Sequence, residues 1–295
     1  MKGIALFGRW TAQVNPDILD HWRLFLREEG VLLWIEESFA QVWSQRQPAI
    51  GELPTFCRGQ EIQGQVSLAF VIGGDGAFLD AARVVALLGV PLVGIHAGRL
   101  GFLTEIPQQA LISATQALLT GQYRLEGRSL LAITTDPAVF QPQEAFALNE
   151  VTFSKAVTAE MILVDVYLNG ELINTYWADG VIVATPTGST AYSLACGGPI
   201  LTPDCQNFVI TPMAPHSLTV RPLVLPDDGV LTLSFQSRTG QVQIALDGRS
   251  VAVPQETLVA LRRAAFDLKI AKLPTHSYFQ TLRSRLSWGV DRRER

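Results

Sequence analysis

Four consecutive residues, Gly73-Gly74-Asp75-Gly76, have the types and spacing needed for phosphate chemistry. Glycines carry no Cβ, so backbone N–H groups can approach an anion closely, and a helix opening directly after the loop turns its positive N-terminus towards it. Asp75 is the only side chain in the loop that could take a proton. The plainer alternative is a tight turn built on Asp-Gly. A Rossmann fingerprint is excluded because Leu79 stands where its third glycine would be, and a Walker A loop is excluded because Gly-Lys occurs nowhere in the chain. Phosphates bound here would need backbone dipoles, a metal ion or an arginine to neutralise them.

A second cluster follows Asp179-Gly180. The run Thr185-Pro186-Thr187-Gly188-Ser189-Thr190-Ala191-Tyr192 sets five hydroxyl side chains within eight residues before an expected helix, a composition suited to gripping sugar hydroxyls and an aromatic base. Capping of that helix by Ser189 or Thr190 is the alternative. Asn149-Glu150 is a polar pair between apolar runs, open to reading as a turn or bulge. His96 could cap a loop or touch a ligand. Cys196 and Cys205 read as small buried hydrophobes, and the arginines at 283, 285, 292, 293 and 295 as a solvated face and frayed end.

The elements that must position these residues can be read from apolar periodicity. Lys2 to Gly8, Val31 to Ile35, Val66 to Ile72 and Pro91 to Ile95 are short apolar strands, and Asn15-Pro16 predicts the cap and first turn of a helix running to about Gly30. Phe78, Leu79, Ala82, Val85 and Ala86 give helical spacing after the glycine loop. Strands alternating with helices predict parallel pairing, with ligands at the carboxyl ends of the strands, where the loops 73–76 and 94–101 lie. Glu36 to Gln65, with Pro48, Gly51, Pro54, Gly59 and Gly64, reads as a long surface excursion. Beyond Gln122 the pattern becomes all-β, with strand runs at Ser129 to Thr135, Glu150 to Phe153, Met161 to Leu168, Val181 to Ala184, Val220 to Leu225, Val230 to Phe235 and Val242 to Leu246. From Thr275, Tyr278, Phe279, Leu282 and Leu286 predict a closing helix packed back on the first domain. The expected division is 1–125 as an α/β domain, 126–269 as a β-rich domain and 270–295 returning to the first.

The 295 residues suffice for two domains, and 48% apolar against 17% charged types excludes an extended disordered chain. Twenty-three basic and 27 acidic residues give a formal charge of −4, which argues against broad electrostatic binding of nucleic acid or membrane and favours a small ligand. Cys57, Cys196 and Cys205 form no C-x-x-C pair, so a reducing compartment is expected. No early apolar run is long enough for a signal-peptide core, and a cytoplasmic location is the expectation.

Taken in order, Gly73 to Gly76, His96-Ala97-Gly98-Arg99-Leu100-Gly101-Phe102-Leu103, Leu148-Asn149-Glu150, Asp179-Gly180 with Thr185 to Tyr192, Gly197-Gly198-Pro199-Ile200 and Pro215-His216-Ser217-Leu218 resemble the motif set of the NAD kinases over roughly residues 66 to 250. One such glycine loop is shared with phosphofructokinases and with diacylglycerol and sphingosine kinases, but six motifs in one order are far more specific. The resemblance implies an N-terminal α/β, Rossmann-like domain carrying the glycine loop, a mostly β C-terminal domain, and a site between them. It implies transfer of the γ-phosphate of ATP to the 2′-hydroxyl of the adenosine ribose of NAD, with a divalent cation, expected to be Mg²⁺, and no protein metal ligands assigned. It further implies Asp75 at the 2′-hydroxyl as the base, flanked by Gly74 and Gly76. Asn149 and Glu150 would hold the ribose and adjacent groups. Asp179 and the segment Thr187, Thr190, Ala191, Tyr192, Ser193, Leu194 and Ala195 would hold the adenine and nicotinamide ends, and Phe102 would line the same cleft. Trp177 and Arg249 would lie at its edge, and family members are commonly homo-dimers or tetramers.

Three positions depart from the family pattern and bear on substrate affinity or preference. Ala77 replaces a usual threonine after the glycine loop, Trp177 a common arginine before Asp-Gly, and Arg249 a frequent glutamine. The competing expectations are a lipid kinase with the same glycine loop and a non-catalytic dinucleotide-binding regulator.

Overall fold

A computed structural model describes residues 3–157, 160–274 and 277–288. Lys2, Thr275 and the arginines at 292, 293 and 295 lie outside the described residues. The chain forms two compact units, one of residues up to Gly127 together with those from Leu268 onward, the other of Arg128–Asp267.

The first unit is built on the strands β1 (Gly3–Gly8), β2 (Leu33–Glu36), β3 (Thr55–Phe56), β4 (Val66–Ile72) and β5 (Leu92–His96), in the order β3-β2-β1-β4-β5 and parallel throughout. The returning strand Leu268–Lys272 adds to β5 in parallel, β6 (Ile106–Pro107) pairs with β5, and β7 (Arg124–Arg128) takes the far edge. Helices cover the sheet, so β1 and β4 carry near-continuous apolar sequence instead of alternation.

Helix α1 (Pro16–Glu28) starts as its sequence requires. Asn15 accepts the N–H of Asp17, Pro16 sets the first turn, and Leu19, Trp22 and Leu26 face the core. Truncating Leu26 to alanine would cost about 2–5 kcal/mol by the usual scale for a buried leucine.

The segment expected as a surface excursion is instead packed. It contains α2 (Glu37–Ser44) and α3 (Gly59–Ile62), and Phe39, Trp43, Ile50, Phe56 and Ile62 are all buried. Phe39, Ala40 and Trp43 stand at helical spacing on the buried face of α2, whereas Ile50, Phe56 and Ile62 lie among prolines and glycines without a period and are buried all the same.

Register sets the working edge of this sheet. Gly8 pairs with Ile72 and Ile72 with Ile95, so the chain leaves β1, β4 and β5 at one level, placing Arg9, Gly73 and His96 along one edge. From that edge α4 (Asp75–Val85) departs, burying Ala77, Phe78, Ala81, Ala82 and Val85. Helix α5 (Leu111–Leu119) is pinned to α1 by the Trp22 indole N–H, which donates to Thr115 Oγ1 at 2.8 Å.

The second unit is a pair of six-stranded antiparallel sheets. Its strands are β8 (Leu131–Asp136), β9 (Phe146–Ala147), β10 (Glu150–Lys155), β11 (Ile162–Leu168), β12 (Glu171–Ala178), β13 (Gly180–Ala184), β14 (Asn207–Met213), β15 (Leu223–Pro226), β16 (Leu231–Gln236), β17 (Gln241–Leu246), β18 (Arg249–Pro254) and β19 (Leu258–Arg263). The sheet orders are β15-β14-β13-β10-β17-β18 and β12-β11-β16-β19-β8-β9. Alternate residues interdigitate in a shared core, with Phe153 of one sheet stacked on Phe235 of the other at 5.4 Å. Leu148 and Asn149 lie where the chain passes from β9 in one sheet to β10 in the other. The short helix α6 (Tyr192–Ala195) follows β13.

Helix α7 (Tyr278–Leu286) belongs to the first unit, as its return requires, but its packing differs from the expected face. Thr281 and Leu282 are buried while Phe279 is exposed. The buried ion pair of Lys272 with Glu105 at 2.6 Å, to which Thr281 Oγ1 adds a long hydrogen bond, ties this return to the sheet. Among the described residues no helix is long and apolar enough to cross a membrane.

Candidate active site

In the first unit the site is built around one carboxylate. Gly73 has φ +152°, and a Cβ there would meet that of Ala77, so glycine is needed for the turn out of β4. Asp75 then becomes the first residue of α4, and its side chain reaches across to the loop after β5. Oδ2 accepts the N–H of Phe102 at 2.9 Å, and Oδ1 accepts those of Leu103 at 2.9 Å and Thr104 at 3.2 Å. The approach depends on Gly101, because a Cβ on that residue would fall on the Asp75 carboxylate and on Thr104 Oγ1.

A carboxylate has about four acceptor positions on its two oxygens. Oδ1 is filled by backbone donors and a weak Thr104 hydroxyl contact, while Oδ2 carries one donor. Asp75 is thus fixed in orientation, with acceptor capacity left on Oδ2. Gly74 and Gly76 are exposed beside it, and the first N–H groups of a helix have no partner within the helix. Phe102 is half-buried, and the Arg285 guanidinium of α7 lies 5.6 Å from its ring centre. Ala77 is buried, packed under the glycine turn where the expected threonine would place a hydroxyl.

Sequence reasoning missed Arg9. It follows β1 directly, pairs with Asp80 of α4, and its Nη1 would be in ordinary contact, 3.7 Å, with a Cβ on Gly76. The usable signal was its place one residue past the carboxyl end of β1, next to the strand that carries the glycine loop. His96 takes the loop-capping role, with Nδ1 3.0 Å from the carbonyl oxygen of Gly98.

In the second unit the centre is the crossing at Leu148 to Glu150. Asp247, in the β17–β18 turn at φ +46°, accepts the N–H groups of Leu148 at 2.7 Å, Asn149 at 2.8 Å and Glu150 at 3.2 Å. This residue also escaped sequence reasoning, since Asp247-Gly248 reads as an ordinary hairpin turn. Burial pushes the Asp247 carboxyl up, while those three N–H groups and the nearby Arg249 oppose the rise. Glu150 is buried as well. Burial first, and the Asp247 charge second, push its carboxyl up to about 8, against one hydrogen bond from the Tyr192 backbone. Its Oε2 has no hydrogen-bond partner.

The hydroxyl-rich segment packs against this crossing. A Cβ on Gly188 would collide with the backbone of Asn149, so the glycine permits the contact. Most of the hydroxyls are spent internally. Thr185 Oγ1 donates to the Leu148 carbonyl, Thr190 Oγ1 to that of Thr187, and Ser193 pairs with Thr211 at 2.8 Å. Ser189 donates to the Pro186 carbonyl and accepts the N–H of Leu201, and no side chain caps α6, so the capping alternative does not describe this segment. Thr187 is buried, Ala191 and Leu194 are partly exposed, and Tyr192 and Ala195 are exposed.

Asp179 is paired with Lys155 at 2.6 Å, a partner not foreseen. Trp177 is exposed and stacks on His216 with ring centres 4.3 Å apart, making a flat aromatic surface where the resemblance led to the expectation of an arginine. Arg249 is drawn towards backbone, its guanidinium donating to the carbonyls of Glu144 and Phe146. Leu148, Asn149 and Glu150 therefore gather around Asp247, Tyr192 lies beside Glu150, Asp179 joins Lys155 at the end of β12, and Asp75 with Phe102 stands in the first unit.

An α/β unit with a glycine loop opening a helix beneath a fixed aspartate, joined in sequence to an antiparallel β unit with a buried glutamate at its strand crossing, defines a phosphoryl-transfer enzyme of the glycine-loop kinase class. Residues 51–123 match the model of the ATP-NAD kinase N-terminal domain and residues 148–273 that of the C-terminal domain. NAD kinase of Flavobacterium johnsoniae is 40% identical over 291 residues, 98% of this chain and 99% of its own. NAD kinase of Porphyromonas gingivalis is 40% identical over 294 residues, with 98% and 99% covered. The chain belongs to the NAD kinase family, and it is an enzyme of the kind that family defines. The fold agrees with that of yeast NADH kinase complexed with NADH, at TM-score 0.85 and 21% identity over 99% of this chain and 89% of that one. It agrees too with an NAD kinase from Archaeoglobus fulgidus in complex with ATP, at TM-score 0.72 and 20% identity over 96% and 98%.

Proposed function

We propose that this chain transfers the γ-phosphoryl group of ATP to the 2′-hydroxyl of the adenosine ribose of NAD, with Asp75 as general base. The observation that carries the reading is the Asp75 carboxylate, held by the N–H groups of residues 102–104 with an acceptor position left on Oδ2. A ribose hydroxyl is a weak nucleophile, but phosphoryl transfer passes through a loose transition state, so positioning and charge neutralisation carry most of the rate. Asp75 Oδ2 accepts the hydroxyl hydrogen and takes the proton late, as the oxygen–phosphorus bond forms and the γ-phosphate leaves ADP.

The N–H groups of Gly74, Asp75 and Gly76 at the start of α4 and the Arg9 guanidinium supply positive potential in a loop without lysine. A divalent cation adds charge neutralisation when bound. Among the described residues no group of three or more His, Cys, Asp or Glu side chains suited to a metal ion is present, and a cation carried by the ATP phosphates is the accompanying proposal. Asn149, Glu150, Asp179, Tyr192 and the 187–195 segment are assigned to the dinucleotide, with Trp177 and Phe102 as flat apolar contacts and Arg249 as a buttress of the crossing. A homo-oligomeric, cytoplasmic enzyme is the accompanying expectation, resting on family resemblance and cysteine usage.

The test is incubation of the purified chain with ATP, Mg²⁺ and either NAD or NADH, with the product identified by mass and by phosphorus NMR. A 2′-phosphorylated dinucleotide and ADP in equal amounts support the proposal. Tight dinucleotide binding without product over several donors and metals would contradict it and favour the regulator.

A further inference from the structure

Glu150 combines features that a simple carboxylate contact does not require. One oxygen side is anchored by the Tyr192 backbone N–H, whereas Oε2 is buried with no partner, an arrangement that costs free energy unless a ligand completes it. The neighbouring Asp247 already collects three backbone N–H groups, which favour its ionised form and oppose the rise that burial gives its carboxyl. Two negative charges side by side, one of them on the buried Glu150, are unfavourable, so a single proton belongs to the acid with fewer donors. That acid is Glu150.

We infer that Glu150 meets its ligand as the neutral acid and donates the O–H of Oε2 to an acceptor oxygen of the bound dinucleotide. The inference rests on the reading of the chain as an enzyme acting on a dinucleotide. A carboxylic acid can donate where an ionised carboxylate can only accept, so the charge state selects which ligand atom Glu150 recognises. The rise of its carboxyl to about 8 agrees with this state at neutral pH. The titratable groups facing it are Asp247 from the β17–β18 turn, with Arg249 beside that residue, and Tyr192 and Cys196 from the end of the hydroxyl-rich segment. The Tyr192 hydroxyl and the Cys196 thiol are both pushed up, burial being the first cause in each, so they stay neutral where Glu150 titrates.

The experiment measures NAD affinity by calorimetry from about pH 6 to about pH 10 for the natural chain and for Glu150→Gln, which keeps a donor but cannot ionise. The same natural chain, labelled with ¹³C at glutamate carboxyls, is titrated by NMR without ligand. The expected result is affinity that is flat at low pH and falls about tenfold per pH unit above about 8, with a Glu150 carboxyl titrating in that range. Glu150→Gln should bind within about threefold of the natural chain at low pH, since its amide can still donate, and show no alkaline loss. A flat profile for the natural chain, an alkaline loss retained in Glu150→Gln, or a carboxyl titrating near 4 would each overturn the inference while leaving NAD phosphorylation intact. Failure of NAD to bind at any pH would overturn the inference and the dinucleotide reading together.

Discussion

Asp247 Oδ1 accepts the backbone N–H of Asn149 at 2.8 Å, joining residues 98 positions apart in the sequence. With the bonds to Leu148 and Glu150, it satisfies the main chain where it crosses from β9 to β10. Asp247→Asn would turn an N–H₂ group towards these donors, and each buried N–H left unpaired costs about 1–3 kcal/mol. The variant should therefore lose a few kcal/mol of stability in chemical unfolding and bind NAD more weakly. Unchanged stability and affinity would deny the crossing its dependence on Asp247.

Glu150 gives the stability of the protein a definite pH slope. Its carboxyl rises from 4.5 to about 8 on folding, so between those values the folded chain holds more protons than the unfolded one. The sign follows: the contribution is fully present below pH 4.5 and is lost as pH rises through about 8, at about 1.4 kcal/mol for each pH step of one between those limits. Glu150→Gln removes the ionisation. In thermal unfolding the variant should gain on the natural chain as pH is raised from 5 to 9, by a few kcal/mol at most. Parallel Tm profiles would contradict the raised value.

Gly101 is required by the Asp75 carboxylate and not by its own backbone, since a Cβ there would occupy the carboxylate position. Gly101→Ala should leave the chain folded while displacing Asp75, with turnover reduced on the order of 10²-fold, the usual cost of misplacing a reacting group by about 1 Å. Steady-state kinetics beside circular dichroism separates the effects. Full turnover in a folded variant would show that Asp75 need not be held where it is.

Asp179 faces Lys155 at 2.6 Å. Asp179→Ala should weaken NAD binding about tenfold or more, because ligand groups that lose a charged acceptor held in place by Lys155 are left without a substitute. Calorimetry at fixed pH checks this, and unchanged affinity would remove Asp179 from the dinucleotide site.

The parts of the molecule legible in the sequence were those governed by local rules. The apolar runs of β1, β4 and β5, the Asn15-Pro16 start of α1 and the glycine loop opening α4 all follow from neighbouring residues, and so does the change to short strands after Gln122. Long-range partners were not legible. Asp247 looks like half of a hairpin turn until the fold brings it to Asn149, and Arg9 gains meaning only when β1 and β4 pair in register. Phe39 and Trp43 stand four residues apart, a helical spacing too short in extent to stand out among the prolines and glycines that follow, and Ile50 has no period at all, so its burial is decided by tertiary packing. The hydroxyls of Thr185, Ser189 and Thr190 suggested a ligand surface by number, whereas their geometry commits them to backbone carbonyls.

The central claim, that Asp75 takes the proton from the 2′-hydroxyl of NAD, is tested most directly by single-turnover phosphorylation with Asp75→Asn, alongside its NAD affinity. Asparagine keeps the shape and its Oδ1 can still accept the N–H groups of Leu103 and Thr104, while its amide N–H₂ replaces the oxygen that faced Phe102 and is no base. The prediction is a rate lower by about 10²–10⁴ with NAD binding little changed. A near-normal rate of 2′-phosphorylation in that variant would contradict it.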